Sequence, residues 1–159
     1  MIFRIYGFQI EIPIQYYVTI WKGSSFYEGT IEIFDEIGNI IRIDWNNLNK
    51  IIDKYKTPKD FFEKNIEEIK KIKDTYDYKL ENYNWNSDIN HDYYFHKLSY
   101  KIITKFPKRE ISDYIIGFGV FCKNSNRFIT IQYRPPEKGK DIGNKVIEII
   151  SSFKCYCLE

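Results

Sequence analysis

The sequence contains no alanine, and only 4 leucines, 3 valines and 1 methionine. The apolar interior must therefore come from 29 isoleucines, 12 phenylalanines and 14 tyrosines. β-Branched and aromatic side chains suit a sheet, and isoleucine costs a helix only slightly. Cysteine is scarce and odd in number, at Cys122, Cys155 and Cys157, which argues against a disulfide scaffold. Five prolines and 8 glycines are too few for a collagen-like chain or a long linker. Charge of one sign is also lacking: 24 basic and 22 acidic residues leave +2, too balanced to argue for nucleic acid or a membrane surface. No apolar run approaches the roughly 18–20 residues of a membrane span.

What is present is an ordinary globular composition, 43% hydrophobic and 18% aromatic, which excludes a mainly disordered chain. Ile, Lys, Tyr, Phe and Asn all have AT-rich codons, so their excess reads as genome bias and lowers the weight of any single cluster of them. A length of 159 residues suits one domain, taken as 1–157, with Leu158 and Glu159, either native or a cloning remnant, set aside. The opening MIFRIYGFQIEIPI alternates and carries Arg4 and Glu11, unlike a signal peptide. A cytoplasmic protein with no membrane span is expected.

Alternation predicts a strand within 2–12, a weaker extended stretch at 16–22, and a hairpin over 26–45 turning at Asp35–Asn39. Thr57, Pro58 and Asp60 open a helix over 58–75, with Phe62, Ile66, Ile69, Ile72 and Tyr76 on its apolar stripe. Strands follow at 78–85, 92–105, 113–122 and 126–133, with Pro107 to Ser112 as a loop. Ile142, Val146, Ile149, Ile150 and Phe153 mark a final helix over 140–154. The expected fold is α+β: a mainly antiparallel sheet of six to eight strands flanked by two helices.

Chemistry is sparse. No P-loop, Gly-x-Ser-x-Gly or His-Glu-x-x-His occurs. Gly117-Phe118-Gly119 lacks a third glycine and a following helix, and is read as a place where a helix approaches the sheet. His91 and His96 differ in strand parity and cannot share one ion. His91 is read as a turn residue and His96 as a buried, hydrogen-bonded core histidine. Cys155-Tyr156-Cys157 has the wrong spacing for a zinc knuckle, so neither metal nor cofactor is expected. Cys122 shares the apolar parity of Ile116, Phe118 and Val120, and Cys155 follows the last helix; the two are expected to pack together or form a disulfide. Tyr93, Phe95, Lys97, Lys101 and Lys105 share one strand face, an arrangement that could stack bases and meet phosphates. The plainer reading is an edge strand protected by lysines.

Several stretches carry a resemblance: Gly7-Phe8-Gln9-Ile10-Glu11-Ile12-Pro13, Ile41-Arg42-Ile43-Asp44-Trp45, Ile89-Asn90-His91-Asp92-Tyr93, Ser125-Asn126-Arg127-Phe128-Ile129 and the ending Ile150 to Cys155. Together they resemble small uncharacterised archaeal proteins similar in architecture to the PsbP-like sandwich. That group includes the photosystem II extrinsic protein and a eukaryotic import factor that binds the Ran GTPase. In such proteins the last helix ends in a Ser-Phe pair, here Ser152-Phe153, and an Asn-Gly-His turn often precedes the long strand, here Asn90-His91 without the glycine. The resemblance implies a non-enzymatic accessory or binding role through a protein partner. A single-stranded nucleic-acid binder and a small ligand-binding domain or enzyme are the alternatives.

Overall fold

A computed structural model describes residues 1–136 and 140–156. Leu158, Glu159 and Cys157 lie outside the described residues. The chain runs β1 (Ile2–Ile5), β2 (Phe8–Glu11), β3 (Tyr17–Ile20), β4 (Gly29–Phe34), β5 (Ile40–Asn47), a 3-10 turn at Leu48–Lys50, and α1 (Pro58–Lys70). It continues through β6 (Thr75–Tyr83), β7 (His91–Lys105), β8 (Lys108–Cys122), β9 (Arg127–Tyr133), α2 (Gly143–Ser151) and β10 (Lys154–Cys155). Seven strands form one sheet in the order β3-β4-β5-β9-β8-β7-β6, and β1-β2-β10 form a second. All the pairings are antiparallel. The architecture is the expected α+β. Among the described residues no helix is long and apolar enough to cross a membrane.

Four boundaries differ from the sequence reading, each for a local reason. The single strand at 2–12 is a hairpin, because Tyr6 and Gly7 take positive φ and turn the chain back on itself. The alternation survives the turn, and Phe8 and Ile10 are fully buried. Helix α1 stops at Lys70, leaving Ile72 exposed and placing Tyr76 in β6 opposite Lys101. The loop at 107–112 is instead a tight turn: β7 and β8 pair without interruption from His91↔Cys122 to Lys105↔Lys108. The last helix is shorter than 140–154, and Lys154–Cys155 leave it to pair with Gln9 and Phe8 of β2.

Both faces of the large sheet carry a covering layer, which on the α1 side stops short of β3–β5. Helix α1 starts at a capping box, with Thr57 Oγ1 accepting from the Asp60 amide and Asp60 accepting from the Thr57 amide. It lays Phe62 and Ile66 over β6–β8. Gly117 and Gly119 make this approach possible: a Cβ on Gly119 would stand 2.7 Å from the Phe62 ring. On the opposite face, α2 and the small sheet bury Phe8, Ile10, Val146, Ile149, Ile150 and Phe153 against Ile31, Ile43, Phe118, Ile129 and Ile131. Each such side chain contributes roughly 1.5–3 kcal/mol of apolar burial. The short strand β10 is therefore held where the small sheet meets the large one.

Candidate functional site

The most chemically distinctive grouping lies at that seam. His91 opens β7 and Cys122 closes β8, directly opposite each other, so their side chains leave the same face. Cys155 arrives from β10. One ligand atom from each of His91, Cys122 and Cys155 lies within 4.8 Å of the other two. His91 and Cys122 are buried and Cys155 is half-buried. Cys122 and Cys155, expected to pack together or form a disulfide, both belong to this group. Their junction with His91 was not foreseen.

Two further groups shape this cluster. Asp88 places both carboxylate oxygens 3.1 Å from His91 Nδ1 and also accepts from the backbone amides of Asn90 and His91. The Asn90 amide first, and then the His91 ring, hold the Asp88 carboxyl below the usual carboxylate range. On the cysteine side, Ser125 Oγ donates to Cys122 Sγ at 2.8 Å and accepts from Arg127 Nε at 3.1 Å. Arg127 is fully buried. Its guanidinium donates to the carbonyl of Tyr6, lies 3.4 Å from that of Phe26 and 3.5 Å from that of Gly7, and stacks over the Phe26 ring at 4.2 Å. Among the described residues no carboxylate forms a salt bridge with it.

The face suggested for stacking bases is largely occupied. Phe95 is 2% exposed, held between Tyr83, Trp85 and Phe118. Tyr93 packs against Trp85 and Phe118. Lys97 sits over the Tyr114 ring, Lys101 pairs with Asp77 and Glu110, and Lys105 approaches Asp74. Parity identified a common face but not the layer covering its upper half. His96, on the opposite face, is 2% exposed against Phe62 and Tyr94, and its Nδ1 has no hydrogen-bond partner among the described residues. Burial pushes its imidazole down to about 4, so it is neutral at physiological pH. Its core position follows the sequence reading; the missing hydrogen bond does not.

The accessible surface lies elsewhere, on β3–β5. Helix α1 covers β6–β8, while the same face farther along the sheet carries Tyr17, Phe34 and Ile40 in one row and Glu32, Arg42 and Gln132 in the next. Tyr17 stacks on Phe34, and the Arg42 guanidinium lies 4.7 Å over the half-exposed Trp21 ring. An open groove of about 630 Å³ runs from this face to α1, lined by Thr30, Asp44, Lys50, Phe61, Phe128 and Thr130 among others. Its carboxylates are already engaged: Glu28 with Lys50 at 2.7 Å, and Asp44 with Thr30 Oγ1 at 2.6 Å and with Arg42. Neither histidine lines it.

No family model matches the sequence, and no curated protein matches it. Function must therefore be argued from the residues themselves.

Proposed function

We propose that this is a cytoplasmic, non-enzymatic binding protein that engages a protein partner through the exposed face of β3–β5. The observation that carries the reading is the composition of that face. Trp21, Tyr17 and Arg42 are the side-chain types that dominate binding energy at protein interfaces, and here they stand beside Phe34 and the 47%-exposed Ile40. Strand β3 is also the edge of the large sheet, so its outer backbone groups are available for an added strand. The PsbP-like resemblance points the same way, towards an accessory role. The paired state of the groove's carboxylates and the burial of His96 weigh against a general acid or base there.

Cross-linking and affinity capture from native lysate test this with three proteins: wild type, a Trp21→Ala/Arg42→Glu double variant, and a Lys71→Glu control at the end of α1. The reading expects a partner captured by wild type and control and lost from the double variant. Equal capture by all three, or a turnover activity unaffected by the double variant, contradicts it.

A further inference from the structure

We propose that His91, Cys122 and Cys155 form a binding site for a borderline-soft divalent cation of the zinc class, which staples the C-terminal strand to the large sheet. The donor set is one imidazole and two thiols, drawn from three strands at positions 91, 122 and 155. Thiolate and imidazole ligands together select such a cation over hard ions, which prefer oxygen. Zn–S distances of about 2.3 Å and Zn–N distances of about 2.0–2.1 Å, at tetrahedral angles, put the donor atoms about 3.5–3.8 Å apart. The three atoms already lie within 4.8 Å of one another, so a small side-chain rotation closes the shell.

The surroundings match what such a site needs. Metal-binding histidines almost always give their other ring nitrogen to a carboxylate or carbonyl, which fixes tautomer and orientation. Asp88 occupies that position at His91 Nδ1, leaving Nε2 as the donor nitrogen. Ser125 donates to Cys122 Sγ and is itself held by the buried Arg127 guanidinium, so the sulfur is oriented by a fixed hydrogen-bond chain. A disulfide between Cys122 and Cys155 would use two of the three groups and give the oriented imidazole no part. The three ligands leave one tetrahedral position for a further donor.

The test is a Co²⁺ titration of the full-length, reduced chain without oxygen, followed by Zn²⁺ competition. The proposal expects a sulfur-to-cobalt charge-transfer band that saturates at about one ion per chain and is displaced by Zn²⁺. Cys155→Ser, on a short and half-exposed strand, should roughly halve the band, since one thiolate remains, while circular dichroism shows the fold retained. Asp88→Asn should keep the band but weaken Zn²⁺ binding by about 10–100-fold. Absence of the band in wild type, an undiminished band in Cys155→Ser, or a Cys122–Cys155 disulfide in protein purified under reductant would each overturn the proposal.

Discussion

His91 and Cys122 face each other directly across the β7–β8 pair, and Cys155 closes on both from the edge of the small sheet. A cation held among them ties the last strand to the largest element of the fold. Beyond Cys155, one further hydrogen bond continues the ladder, from the Tyr156 amide to the Gly7 carbonyl at 2.7 Å. Hydrogen exchange should therefore read the staple. Chelation of the reduced protein should speed exchange at Tyr156, which opens locally, and leave Phe95 and Phe118 in the core unchanged. Unaltered exchange at Tyr156 would mean β10 is held by packing alone.

Arg127 is the second structural anchor of this region. It is buried, and its planar fork reaches backbone carbonyls of the β1–β2 turn and of the segment before β4. Arg127→Met keeps much of the volume but strands those carbonyls. Urea denaturation should show a loss of about 3 kcal/mol or more. Arg127→Lys should recover only part of it, since an ammonium lacks the fork.

The pH dependence of stability should carry the signature of His96. Its folded-state value of about 4 lies below the ordinary 6.5, so the unfolded chain takes up this proton first as pH falls. Stability is full above about 6.5 and declines until pH passes through about 4, a loss of about 3 kcal/mol from this group. His96→Leu replaces an imidazole with an unpartnered Nδ1 by an apolar side chain. The variant should be as stable as wild type or more so at neutral pH. Its stability should also fall less over that pH range in urea melts.

The start of α1 offers a simpler check. Thr57 and Asp60 satisfy each other's backbone amides on the exposed end of the helix. Thr57→Ala should lower stability by about 1 kcal/mol in chemical denaturation, without change in the circular dichroism of the native state.

The start of α1 is legible in Thr57-Pro58-Lys59-Asp60 because its physics is local, though the reciprocal bond from Asp60 is not, and the hairpin over 26–45 and the inward faces of Phe8, Ile10, Phe118 and Val120 are legible too. The register between β7 and β8 is not. Pro107 reads as the start of a loop, whereas Phe106 and Pro107 alone connect the strands. Once Lys105 is set opposite Lys108, counting back along both strands puts His91 opposite Cys122. One misplaced turn therefore hides the His91–Cys122–Cys155 cluster from a reading of the sequence. Strand parity likewise predicted which side chains share a face, but not that Trp85 returns to cover Tyr93 and Phe95. Such coverage depends on long-range packing that spacing does not encode.

Joint ligation of one ion by His91, Cys122 and Cys155 can be read by X-ray absorption at the zinc edge of the reduced, zinc-loaded chain. The coordination shell should hold two sulfurs at about 2.3 Å and an imidazole nitrogen at about 2.0–2.1 Å, with one sulfur lost in Cys155→Ser. A shell of oxygen and nitrogen alone, or one unchanged by Cys155→Ser, would contradict it.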